Sequence, residues 1–129
     1  MKLEHVGYNV PEPAAMADWW QAHLGFEIVF RGPAPEDGRF LRDSSGQMLL
    51  ELYHNPADRA TPDYASRPAT DMHVAIWSDD VEGDAARLAR AGAKVEEVVK
   101  KPSLALASVR DPWGVPIQLI WRAAPMLKA

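Results

Sequence analysis

The sequence predicts an α+β protein made of two tandem βαβββ modules whose mixed sheets curve around a concave cup. Three observations carry this. The first is the order of hydrophobic periods: strand, helix and three strands, then a proline-rich stretch, then the same order again. The second is a fixed offset between matching landmarks. His5 and His73 lie 68 positions apart, Gly25 and Gly92 lie 67 apart, and the turns Asp43/Gly46 and Asp111/Gly114 lie 68 apart. The third is size, because 129 residues with 47% hydrophobic and 25% charged content match one ordinary globular domain, neither disordered nor built as a solenoid.

The elements follow in order. Lys2 to Val10 alternates, with Val6, Tyr8 and Val10 on one side and Leu3, His5, Gly7 and Asn9 on the other. Pro11-Glu12-Pro13 stops this strand, and Pro13 suits the first position of a helix, where its missing N–H costs nothing. Met16, Trp19, Trp20 and Leu24 then keep helical spacing, and Gly25 ends the helix as a left-handed cap. Phe26 to Phe30 reads as a strand and Gly32 to Gly38 as a loop. Arg39 to Asp43 and Gln47 to Tyr53 read as a hairpin across Ser44-Ser45-Gly46.

His54 to Thr70 holds three prolines and no periodicity, as a linker or mobile loop does. Module one therefore spans about 1–56, the linker about 57–70 and module two about 71–123, within a single domain. Asp71 to Trp77 alternates, with Met72, Val74 and Ile76 facing the core and Asp71, His73, Ala75 and Trp77 facing away. Ser78-Asp79-Asp80 starts a helix whose buried face is Val81, Ala85, Leu88 and Ala89, and Gly92 ends it. Lys94 to Val99, Leu104 to Arg110 and Val115 to Trp121 are strands, the last two joined by the turn Asp111-Pro112-Trp113-Gly114.

Composition narrows the function. A net charge of −4 with interspersed signs leaves no footprint for nucleic acid or an anionic membrane. No cysteine is present, so any metal must be held by histidine, carboxylate or amide groups. The N-terminus enters an alternating pattern directly, without a signal-peptide run or a membrane span, so a cytoplasmic location is expected.

Phase then singles out four side chains. His5, Glu51, His73 and Gln118 each lie opposite the apolar set of their own strand, and the repeat relates His5 to His73 and Glu51 to Gln118. A histidine or a carboxylate taken singly is more often structural or solvated. Two histidines and one carboxylate on one face, however, suit a divalent first-row metal with open positions.

The chain resembles the vicinal oxygen chelate superfamily of glyoxalases, bleomycin- and fosfomycin-resistance proteins, methylmalonyl-CoA epimerase and extradiol dioxygenases. The resemblance is carried by Leu3-Glu4-His5-Val6, Leu24-Gly25-Phe26, Leu50-Glu51-Leu52, Met72-His73-Val74-Ala75, and Asp111-Pro112-Trp113-Gly114 leading to Gln118. It implies metal ligands on the first, fourth, fifth and eighth strands, here His5, Glu51, His73 and Gln118. It also implies one divalent ion (Ni, Zn, Mn, Co or Fe) that takes two vicinal oxygens of a small-molecule substrate. The eighth-strand position is glutamate in most such enzymes and glutamine here, which leaves Glu51 as the carboxylate for ligation and proton transfer. The activity implied is that of a lyase, isomerase or epimerase passing through an enediolate-like intermediate. Two alternatives are an Fe(II) extradiol-type dioxygenase on His5, His73 and Glu51, and a metal-free small-molecule binder of the bleomycin-resistance type. Asn9, Tyr53, Trp77, Ile120 and Arg122 share the cup-facing phase and are expected to line the substrate pocket. A homodimer is expected by analogy with relatives.

Overall fold

The structure is a computed structural model that describes residues 1–57 and 60–127. Linker positions 58 and 59 and tail positions 128 and 129 lie outside the described residues. The chain divides into two compact units, Met1–Pro62 and Asp63–Ala129.

In the first unit the elements are β1 (His5–Asn9), α1 (Pro13–Leu24), β2 (Glu27–Arg31), β3 (Arg39–Arg42) and β4 (Leu49–Tyr53). They form a four-stranded sheet in the order β1-β4-β3-β2, with β1 parallel to β4 and the other neighbours antiparallel. Pro13 opens α1, and Gly25 closes it at φ 75°, a left-handed conformation that costs a residue without Cβ nothing. The apolar face of α1, with Met16, Ala17 and Trp20 fully buried, covers the sheet face that carries Tyr8, Ile28, Leu41, Leu50 and Leu52.

The second unit repeats the plan with β5 (Val74–Trp77), α2 (Val81–Arg90), β6 (Lys94–Lys101), β7 (Leu104–Arg110) and β8 (Pro116–Arg122). The strand order is β5-β8-β7-β6, again with one parallel pair, β5 and β8. Asp80 caps α2 by accepting from the Gly83 N–H at 3.0 Å. Val81, Ala85 and Leu88 bury its inner stripe against Ala107, Val109, Ile117 and Leu119. Each unit is thus a βαβββ module with a four-stranded mixed sheet.

Two expectations of burial are corrected. Met72 is 56% exposed rather than core-facing, because β5 begins only at Val74 and Met72 precedes the paired strand. Ala89 is exposed, since α2 buries only the narrow stripe Val81, Ala85 and Leu88, and Ala89 lies beside it. Phe30 is 55% exposed although Ile28, two residues earlier, is buried. A β-bulge between Ile28 and Phe30 shifts the register, so that Ile28 opposes buried Leu41 while Phe30 opposes Phe40 on the other face. Residues 63–66, expected within a linker, fold as a short 3₁₀ turn, Tyr64–Ser66, capped by the Asp63 side chain.

Candidate metal and ligand site

In the first unit the parallel register pairs Gly7 with Glu51, and His5 stands two residues ahead of Gly7 on the same face. That diagonal brings His5 Nε2 to 3.3 Å from Glu51 Oε2. Gly7 permits the approach, for a Cβ there would stand 3.3 Å from Glu51 Oε2 and 3.4 Å from Tyr53 Cε1. The other ring nitrogen, Nδ1, hydrogen-bonds the Glu4 carboxylate. This bond is the main cause of the upward shift of the His5 pKa from 6.5. The negative charges of Glu4 and Glu51 add to it, while desolvation opposes it.

In the second unit the same step recurs. Ala75 pairs with Gln118, and His73 stands two residues ahead of Ala75. His73 Nδ1 donates to the Ala69 carbonyl at 3.0 Å. A carbonyl can only accept, so the proton of the neutral ring sits on Nδ1 and the lone pair on Nε2. Ala69, Thr70, His73, Ser108, Ile117 and Gln118 line a cavity of about 40 Å³.

The donor set fits a divalent metal by two observations. Ligands about 2.0–2.1 Å from one ion stand roughly 3.0–3.4 Å from each other, and the 3.3 Å between His5 Nε2 and Glu51 Oε2 falls in that range. Both histidines also have Nδ1 held by an acceptor, a carboxylate for His5 and a carbonyl for His73. This arrangement directs Nε2 outward as the ligating atom. Within either unit, no group of three or more His, Asp or Glu side chains that could hold a metal occurs among the described residues.

The expected pocket residues divide. Tyr53 is half-buried beside Gly7 and Glu51. Asn9 Oδ1 accepts from the Asn55 N–H at 3.0 Å and so anchors the chain after β4. Trp77 is 46% exposed and its Nε1 donates to Asp79 at 2.9 Å. Ile120, paired with Trp77, is buried at 8% exposure, and Arg122 is half-buried at the end of β8.

Several residues on these faces escape a reading by strand phase alone. Phe40 pairs with Glu51 and its ring meets the His5 ring edge-on at 5.5 Å. Phe30 extends the same wall, 5.9 Å from Phe40. Ser108 and Glu97 are the second unit's counterparts. Ser108 pairs with Gln118, and a bulge between Val95 and Glu97 turns Glu97 onto the face of Ser108. The phase of Phe40 against buried Leu41 was available in the sequence, whereas both bulges were not.

Among the described residues, no helix is long and apolar enough to cross a membrane. No curated protein matches the chain. Solved structures do. An antibiotic binding protein, TnmS3 from Streptomyces sp. CB03234, is similar at 22% identity and TM-score 0.70, covering 95% of this chain and 99% of that one. A glyoxalase family protein from Bacillus cereus is similar at 18% identity and TM-score 0.76, covering 96% and 95%. The protein SMU.1112c is similar at 25% identity and TM-score 0.72, covering 94% and 98%. These likenesses concern the fold. A family model described as the glyoxalase/bleomycin resistance protein/dioxygenase superfamily matches residues 2–119. The chain, with its two βαβββ modules, therefore belongs to the glyoxalase/bleomycin resistance protein/dioxygenase superfamily, which contains both enzymes and non-enzymatic binding proteins.

Proposed function

We propose that the protein is a metal-dependent enzyme of the glyoxalase type, a lyase or isomerase acting on a small molecule with two neighbouring oxygens. The observation that carries this reading is the outward-facing Nε2 of His5, 3.3 Å from the Glu51 carboxylate, with Nδ1 held from behind by Glu4. His5 and Glu51 are one ligand pair, and His73 and Gln118 are the repeat-equivalent pair. A bound divalent ion would act as a Lewis acid toward an oxyanion of the substrate. Glu51, half-buried and beside the imidazole, is the carboxylate suited to take a proton from a carbon next to a carbonyl. The amide of Gln118 has no basicity at neutral pH, so its part is hydrogen bonding or weak neutral ligation. The assembly we propose is a homodimer.

The test is metal content of protein purified without chelators, with His5→Ala and His73→Ala as controls. Bound metal in the parent and its loss in both variants is the expected result. No bound metal, together with no affinity for added Ni²⁺, Zn²⁺, Mn²⁺, Co²⁺ or Fe²⁺, sinks the proposal. Glu51→Gln should then abolish isomerase activity on a hemithioacetal. Oxygen consumption with a catechol would instead identify the dioxygenase reading.

One observation favours a second reading, a metal-free binder. Exposed Phe30 and half-buried Phe40 form an aromatic wall beside His5, which is surface suited to stacking a planar ring. Saturable binding of a planar aromatic ligand to metal-free protein, lost in Phe40→Ala, would support it.

A further inference from the structure

We infer that residues 63–70 are a strap which, pinned by buried Arg110, sets the tautomer and aim of His73; Arg110 is thus a positioning residue. That His73 uses its Nε2 toward a metal rests on the proposed function. That Arg110 governs which nitrogen carries the proton does not.

The argument starts from the repeat. Arg42 and Arg110 end equivalent strands, 68 positions apart. Arg42 has 45% of its side chain exposed and pairs with Glu27, whereas the Arg110 side chain is 8% exposed. At Arg110 the strap lies over the guanidinium. Arg110 Nη1 donates to the Tyr64 carbonyl at 2.9 Å and to the Gly114 carbonyl at 3.1 Å. Nη2 donates to the Arg67 carbonyl at 2.7 Å. Nε donates to Glu96 at 2.6 Å, a residue that the β6 bulge leaves beside this face. A guanidinium that spends its donors on two strap carbonyls, a turn carbonyl and a carboxylate fixes three segments at once.

A second contact seats the strap independently. Gly114 is held at φ 85°, and a Cβ there would lie 2.6 Å from Ala65 Cβ. The strap therefore runs directly over the glycine backbone. From Arg67 it continues through Pro68, whose carbonyl accepts from the Asp71 N–H at 3.0 Å, and this closed turn contains Ala69. The Ala69 carbonyl is the acceptor for His73 Nδ1. Ala69 and Thr70 also wall the cavity that His73 shares with Ser108 and Gln118. Without the strap, His73 would lose the Ala69 carbonyl as the acceptor of its Nδ1–H. For the equivalent His5, a carboxylate from its own neighbour, Glu4, fills that role.

The test is long-range ¹H–¹⁵N correlation of the imidazole nitrogens in the full chain, at a pH where the neutral ring dominates. Wild-type His73 should appear as the Nδ1–H tautomer. A predominantly Nε2–H ring there would overturn the inference without any variant. In Arg110→Lys, which keeps the charge but cannot reach several carbonyls, His73 should shift toward Nε2–H while the His5 signals stay in place. If that variant does not fold, Ala65→Leu, which enlarges the side chain seated over Gly114, perturbs the strap at its second contact and should give the same shift. A folded variant of either kind whose His73 remains Nδ1–H overturns the inference. Where Zn²⁺ binds the parent, its affinity should fall about 10–100-fold in the same variants, as for other losses of an orienting partner. Absence of Zn²⁺ binding in the parent would count against the proposed function and leave the tautomer readout intact.

Discussion

Gly7→Ala separates site geometry from fold stability more cleanly than removal of a ligand does. Gly7 lies in ordinary strand backbone without positive φ, so alanine meets no dihedral strain there. Its Cβ would stand 3.3 Å from Glu51 Oε2 and 3.4 Å from Tyr53 Cε1. Relief of that contact moves the carboxylate by a few tenths of an ångström, more than the roughly ±0.2 Å tolerance of a metal–ligand bond. We expect metal affinity to fall about tenfold, which is ~1.4 kcal/mol. Stability should hardly change. Replacement of glycine by alanine restricts the unfolded chain and contributes about 0.4–1 kcal/mol, and the close contact offsets much of that gain. The assays are calorimetric titration with Zn²⁺ or Ni²⁺ and urea unfolding of the metal-free protein. Undiminished affinity in a variant of parental stability would refute the argument, because Glu51 would then not depend on the space above Gly7.

Three further outcomes are expected. In metal-free protein, His5 should titrate above 6.5, and Glu4→Gln should lower that value more than Glu51→Gln, since the Glu4 hydrogen bond is the larger cause. A raised folded-state pKa means that the pair's contribution to stability is complete below 6.5 and is lost as pH rises through the folded value, which NMR titration with melting curves on either side would check. Trp20→Ala, at a fully buried position on the inner face of α1, should cost about 3–5 kcal/mol in denaturant unfolding. Asp80→Ala should cost about 1 kcal/mol through loss of the α2 cap, while metal binding stays at the parental level.

The order of elements, the duplicated plan and the phase of His5, Glu51, His73 and Gln118 are all local properties. Period-2 and period-3.6 alternation is written into neighbouring residues, and the 67- to 68-residue offset repeats it. Pro13 and Gly25 mark the limits of α1 for equally local reasons of dihedral preference. Other features depend on partners far away in the chain. The His5–Glu51 distance follows from parallel pairing of β1 with β4, a crossover that no local pattern encodes. Phe30 and Glu97 reach their faces through bulges, in which one extra residue inverts the expected alternation. Residues 63–70 carry no periodicity because carbonyl groups hold them, through Arg110 and His73, and every residue type supplies the same carbonyl. The phase of His5, Glu51, His73 and Gln118 was thus legible in the sequence, whereas the faces reached through bulges, and the nitrogen of His73 that is left to act, were decided by tertiary structure.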